Sequence, residues 1–265
     1  MPDPIVWAAP RNFHVDGEAR VAFAMPAYGP IYPQVYANHL ALAAYTSRYL
    51  TLNKIGKVPI IGASDRMYLH SACNTTVREL LDSDCTHIFW TESDMLMPFY
   101  AVVKLMEHGK DICSGVYFLR NGAGQPCLYM KGGASVFTGI ASAIPISIFP
   151  EDSFFKVHCP GMGCVLMKRK VFETIPPPWF DLKEGYRKED SKMYGYGQDI
   201  FFYSKVVDAG FEVWVDSSIH CAQVQDSVIS LSDYRKKVMA PDFRVTGGII
   251  TEAGPGAVKD GEVPE

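Results

Sequence analysis

What this chain lacks narrows its function before any motif is read. No apolar run approaches the ~18 residues that span a bilayer. The stretch from Met1 to Arg20 carries Pro2, Asp3, Pro4 and Pro10 and no apolar leader core, so it does not read as a signal peptide. Lysine and arginine form no long run, and the net charge is −4. That counts against extended nucleic-acid or anionic-membrane binding, which leans on clustered basic charge. The seven cysteines are an odd number and include no C-x-x-C pair. They read as free thiols in a reducing compartment, without the spacing of a zinc site. Neither G-x-G-x-x-G nor G-x-x-x-x-G-K-[ST] occurs, which counts against a dinucleotide oxidoreductase and a P-loop NTPase. The expectation is a cytoplasmic protein with no membrane anchor of its own.

What is present centres on Thr86-His87-Ile88-Phe89-Trp90-Thr91-Glu92-Ser93-Asp94-Met95. A β-branched and aromatic run of this length predicts a strand buried on both faces. Glu92 and Asp94 follow at its carboxyl end, the edge where open α/β sheets bind ligands. Hard carboxylate oxygens there suit Mg2+ or Mn2+ on a diphosphate; the plain alternative is a polar strand exit. Before this stretch, Val21 to Met25 and Val58 to Ile61 read as strands. Gln34 to Tyr49 and Ser71 to Leu81 read as helices. After it comes a helix begun at Pro98 and stopped at Gly109, then a strand over 111–118. Strand and helix alternating three times predict a mostly parallel sheet with crossover helices.

The second half changes character. Residues 121–160 read as hairpins and loops over the cleft, and 164–167 as a strand. Residues 183–193 read as charged and mobile, Gln198 to Gly210 as a helix and 211–215 as a last strand. Residues 1–20 form an irregular lead-in, 21–225 the main domain and 226–265 a partly disordered extension. His39, His70, His87, His108 and His158 read as structural.

The order of these motifs resembles the GT-A nucleotide-sugar glycosyltransferases, close to family 2. Pro26-Ala27-Tyr28 is similar to the base-holding loop after the first strand, and Ala72-Cys73-Asn74 to A-R-N. Glu92-Ser93-Asp94 looks like D-x-D, and Gly115 to Arg120 like G-x-Y-x-x-R. Gly161-Met162-Gly163 resembles the glycine pair before a strand, and Gly197-Gln198-Asp199 the start of the E-D-x-x-F helix. Val215-Asp216-Ser217-Ser218 resembles the turn before a metal-binding histidine. The resemblance spans about residues 20–225. It departs at Glu92, at Cys73 in place of arginine, and at Gln223 in place of the metal histidine, with His220 three residues earlier.

The resemblance implies a GT-A fold: a mostly parallel α/β sheet flanked by helices, with a small mixed β/loop region over the cleft. It implies transfer of a sugar from a nucleotide diphosphate sugar, UDP expected, to an acceptor hydroxyl with inversion. Asp199 would be the base, and Asp94 with Glu92 and either His220 or Gln223 would hold Mn2+ or Mg2+. Pro26, Ala27, Tyr28, Asp65, Arg66, Asn74, Glu92, Ser93, Gly161, Met162, Gly163 and Gln198 would contact the nucleotide sugar. Trp179 and Arg120 are acceptor candidates. A saccharide, a protein or a hydroxymethylated DNA base fits as acceptor, DNA being disfavoured by the acidity. The alternatives are a sugar nucleotidyltransferase and a non-catalytic nucleotide-sugar or carbohydrate-binding protein.

Overall fold

All five residues of the strand His87–Thr91 are buried, as a strand covered on both faces requires. The computed structural model describes residues 18–27, 29–57, 60–64, 67–120, 124–134, 141–187, 192–224, 228–238, 243–246 and 249–252. The first half of the chain forms β1 (Val21–Pro26), α1 (Pro33–Leu52), β2 (Ile60–Ser64), α2 (Leu69–Leu81), β3 (His87–Thr91), β4 (Met95–Leu96), α3 (Ala101–Glu107) and β5 (Ile112–Val116). Next come β6 (Leu128–Ala134), β7 (Ala141–Pro145), β8 (Phe154–Val157), β9 (Cys159–Pro160), β10 (Cys164–Lys168), α4 (Arg169–Thr174), β11 (Lys183–Arg187) and β12 (Lys192–Tyr196). The last are α5 (Gln198–Asp208), β13 (Val213–His220), β14 (Ala222–Val224), β15 (Val228–Ile229), α6 (Leu231–Val238), β16 (Phe243–Thr246) and β17 (Ile249–Glu252).

The central sheet has seven strands in the order β2-β1-β3-β10-β5-β13-β8. β2, β1 and β3 run parallel, and so do β5 and β13. β10 enters antiparallel between β3 and β5, and β8 closes the edge antiparallel to β13. The sheet is therefore mixed rather than simply wound, because the strand after the glycine pair returns through its middle. Alternation along the strands loads the two faces. Ala22, Ala24, Ile88, Trp90, Val165 and Met167 pack with α2, α4 and α5. Val21, Phe23, Phe89, Cys113 and Leu166 pack with α1 and α3. The result is an α/β domain with helices on both faces of one sheet.

Several sequence expectations need correction. The charged stretch 183–193 contains strand: β11 and β12 pair antiparallel, with Lys183 opposite Tyr196 and Arg187 opposite Lys192, while 188–191 lie outside the described residues. α3 starts at Ala101, and Pro98 lies a turn ahead, its carbonyl accepting from the Ala101 N–H at 2.9 Å. β2 runs on to Ser64, past the expected end at Ile61, and its predicted start at Val58 lies outside the described residues. β13 continues to His220, well past Val215. The expected boundary at 225 is followed by β15 and α6. α6 docks through Tyr234, which stacks on Phe118 at 5.1 Å and donates its hydroxyl to the Ser147 carbonyl at 2.7 Å. Past Thr246, β17 pairs with β16, while residues 253–265 lie outside the described residues.

Candidate functional site

β3 delivers Glu92 and Asp94 to the carboxyl edge of the sheet, and the backbone there is fixed from both sides. The Met95 N–H donates to the Glu92 carbonyl at 3.2 Å, closing a turn. β14 then pairs with β4, placing Gln223 opposite Met95, and the Val224 N–H donates to the Asp94 carbonyl at 2.7 Å. From α1, the Asn38 side chain both donates to and accepts from Met97, and His39 Nε2 lies 3.1 Å from the Met95 carbonyl oxygen. The acids thus project from a loop with little freedom.

Asp199 stands in the first turn of α5, after the extended Gly197. An aromatic chain ties α5 to β3. Trp90, two residues before Glu92, packs on Phe180 at 5.0 Å, and Phe180 stacks on Phe202, three residues after Asp199, at 4.8 Å. This couples the positions of the two acidic ends. Burial, then the charges of Asp199 and Asp94, raise the Glu92 carboxyl to about 8. Burial also raises Asp199, against its own backbone N–H, so desolvation outweighs the helix terminus that favours its anion. The negative charges of Asp199 and Glu92 both reach the Cys73 thiol, which occupies the position where the resembled motif has arginine.

Arg120 Nη1 lies 2.7 Å from Asp94 Oδ2. Asp94 is only 8% exposed, and its Oδ1 is buried with no partner among the described residues. Burial raises its carboxyl despite the arginine. The donor chemistry fits a divalent ion: hard carboxylate oxygens at a strand end, one of them unclaimed. Among the described residues no three His, Cys, Asp or Glu side chains group to hold an ion.

The two candidates for a third ligand occupy different places. Gln223 is buried in the ladder beside Met95. His220 ends β13 beside Val116, with Nε2 buried and unpaired among the described residues.

The remaining predicted contacts divide. Pro26 ends β1 at the same sheet edge with Ala27 next in the chain, and Gln198 opens α5 beside Asp199. Ser93 lies partly buried between the two acids. Tyr28, Asp65 and Arg66 lie outside the described residues. Gly161 and Gly163 serve close packing. A Cβ on Gly161 would fall 1.8 Å from the Tyr117 hydroxyl, and one on Gly163 would fall 2.8 Å from Met95 Sδ. Met162 is buried in the core between them.

Asn74 and Trp179 have structural tasks. The Asn74 amide donates to the Phe180 carbonyl at 2.7 Å, and its oxygen accepts from the N–H of Trp179 at 2.8 Å. Trp179 is buried, its indole N–H donating to the carbonyls of Phe172 and Ile175. Both residues line a flank cavity of about 640 Å³ with Ser71, Thr75, Arg78, Pro177 and Pro178.

The layer beneath the acids escaped sequence reading. Tyr117 is buried and hydrogen-bonded to Cys127, and burial raises its hydroxyl well above the ordinary range, helped by Cys127, Glu92 and Asp199. Burial lifts the Cys127 thiol to about 12, with Asp199 and Glu92 adding to the shift. Tyr117 lies inside the Gly115-to-Arg120 motif, so its type was visible. Its partner from the segment before β6 was not, because no local pattern encodes that contact. All seven cysteines are free and buried.

No protein-family model matches the sequence, and no curated protein is similar enough to match. Among solved structures, A197 from STIV is 18% identical, with 80% of this chain and 93% of that chain covered and a TM-score of 0.49. GalNAc-T7, solved with UDP, GalNAc and Mn2+, is 9% identical, with 85% of this chain and 48% of that chain covered and a TM-score of 0.48. The inositol-1-phosphate CTP transferase from T. maritima is 15% identical, with 85% of this chain and 98% of that chain covered and a TM-score of 0.41. No helix among the described residues is long and apolar enough to cross a membrane.

Proposed function

We propose that this protein is a glycosyltransferase that moves a sugar from a nucleotide diphosphate sugar, with UDP as the expected nucleotide, to an acceptor hydroxyl with inversion. One observation carries the reading. Trp90, Phe180 and Phe202 brace the strand end that carries Glu92 against the helix start that carries Asp199, and the Asp199 charge adds to the burial that raises the Glu92 carboxyl, which supports reading the two acidic ends as parts of one site. Transfer with inversion requires such a pairing: one end of the site attends the departing diphosphate, the other the attacking hydroxyl.

In this reading Asp199 takes the proton from the acceptor hydroxyl as the hydroxyl attacks the anomeric carbon. Its raised pKa makes it a stronger base than an exposed aspartate, and base assistance of this kind contributes roughly 10²–10⁴-fold. Asp94 and Glu92 would hold the divalent ion, which when bound neutralises charge on the leaving diphosphate. Pro26 and Ala27 border the nucleotide side of the same sheet edge.

The test is incubation with labelled nucleotide sugars, Mn2+ and an acceptor panel of saccharides, a protein and hydroxymethylated DNA, read as free nucleotide and labelled acceptor. Release of nucleoside diphosphate supports the reading. Release of pyrophosphate from a nucleoside triphosphate and a sugar phosphate would replace it with nucleotidyl transfer. Donor binding with no product from any acceptor, and no donor hydrolysis, would point to a non-catalytic binder.

A further inference from the structure

Asp94 already has a cation. The guanidinium of Arg120 is 2.7 Å from its Oδ2, while Oδ1 stays buried and unpaired among the described residues. The two partners are held very differently. The Asp94 side chain is 11% exposed, and its carbonyl is tied to the Val224 N–H at 2.7 Å. The Arg120 side chain is 50% exposed, on a long flexible stem just after β5. Arg120 is therefore the member of the pair that can leave.

A divalent ion on Asp94 and a guanidinium on the same carboxylate would repel one another at short range in a partly desolvated site. The two cations cannot share Asp94 cheaply. A diphosphate offers arginine a better partner, with more charge and the bidentate geometry its planar fork matches. Resting on the proposed nucleotide diphosphate donor, we infer that Arg120 is the resident counter-ion of Asp94 and a ligand of the donor diphosphate. Donor binding draws Arg120 onto phosphate and frees both Asp94 oxygens for the metal. Metal and nucleotide then bind cooperatively, and by linkage each tightens the other by the same factor. This assigns Arg120 to the donor side of the site rather than to the acceptor.

The experiment is a Mn2+ titration followed by the electron paramagnetic resonance of free Mn2+. It uses the full chain with and without UDP, with the Mn2+–UDP complex in buffer subtracted. Wild type is compared with Arg120→Gln, Arg120→Lys and Asp94→Asn, each checked for folding by thermal unfolding. Wild type should bind Mn2+ weakly alone and about tenfold or more tighter with UDP. Arg120→Gln should bind Mn2+ alone on the order of tenfold tighter than wild type and lose most of the UDP enhancement. Arg120→Lys, a point charge without the fork, should fall between them, and Asp94→Asn should bind little Mn2+ in any condition.

Unchanged or weaker Mn2+ binding by Arg120→Gln alone overturns the counter-ion role. Should UDP tighten Mn2+ equally in wild type and Arg120→Gln, the exchange fails while the nucleotide-sugar reading stands. If Arg120→Gln tightens Mn2+ but no nucleoside diphosphate binds either protein, competition at Asp94 stands. The donor assignment of Arg120 then falls together with the proposed function.

Discussion

Glu92 and Asp199 belong to different elements, β3's end and α5's first turn, yet Asp199 is the leading charged neighbour raising the Glu92 carboxyl to about 8, behind burial itself. Trp90, Phe180 and Phe202 brace the two elements against each other. The first prediction concerns the base. Asp199→Asn keeps the size and the helix start but cannot accept a proton. Donor affinity should stay nearly unchanged, and single-turnover transfer should fall by about 10²–10⁴-fold. Transfer within a few-fold of wild type would remove Asp199 from the chemistry and leave a different base, or retention, to be found.

The second prediction follows from Glu92. A carboxyl whose folded pKa is raised favours the folded state most at low pH. That contribution disappears as pH climbs from the ordinary carboxylate range through about 8. In metal-free, nucleotide-free protein, stability should therefore decline over that window. Glu92→Gln, neutral throughout, should flatten the decline and be more stable than wild type at pH 8.5 by about 1–3 kcal/mol, allowing for solvent screening. Parallel pH profiles of urea midpoints for the two proteins would show that Glu92 is ionised at no cost.

Much of this was legible in the sequence because it is written locally. The run from Thr86 to Thr91 has the residue types of a doubly buried strand, and it is one. Gly109 and Gly210 mark helix stops, and both have positive φ, of 64° and 84°. The acids Glu92, Asp94 and Asp199 were identified by position in motifs, and the structure brings them within electrostatic reach. What escaped was non-local. Nothing in Cys164–Lys168 states that the strand inserts antiparallel between β3 and β5. The pairing of Lys183–Arg187 with Lys192–Tyr196 was hidden by their charge, since local composition there reads as solvated loop. The hydrogen bond that ties Asn74 to the Trp179 backbone joins positions about a hundred residues apart, so no local pattern states it.

The third prediction separates packing from recognition at the Pro-Trp turn. Asn74 holds the backbone of Trp179 and Phe180 through one side chain. Asn74→Ala leaves these buried groups unpaired and should destabilise the fold by about 1–3 kcal/mol. Trp179→Ala should cost roughly 3–5 kcal/mol as a buried aromatic. In whatever fraction of either variant stays folded, the acceptor KM should be near wild type. A normal urea midpoint with a raised acceptor KM for Trp179→Ala would restore this tryptophan to acceptor binding.

The fourth prediction concerns Asp216, where β13 shifts register between Val215 and His220 on its way to the site. Its carboxylate gathers His108 Nε2 at 2.8 Å, the Ser218 N–H at 2.9 Å and Lys104 at 3.7 Å. Burial pushes the carboxyl up, but these partners outweigh it and lower the carboxyl to about 2. A depressed folded pKa stabilises the fold above the unfolded value, and that contribution is lost as pH falls from about 4 toward 2. Asp216→Asn can still accept from Ser218 but gives no charge to His108 or Lys104. It should cost about 2 kcal/mol at pH 7. The gap to wild type should narrow steadily below pH 4, because protonation then removes the same charge from wild type. Urea unfolding at pH 7, 4 and 2.5 reads this directly. A constant gap across that range would mean that the substitution disturbs packing instead. No gap at pH 7 would mean that the contacts with His108 and Lys104 only balance the desolvation of Asp216.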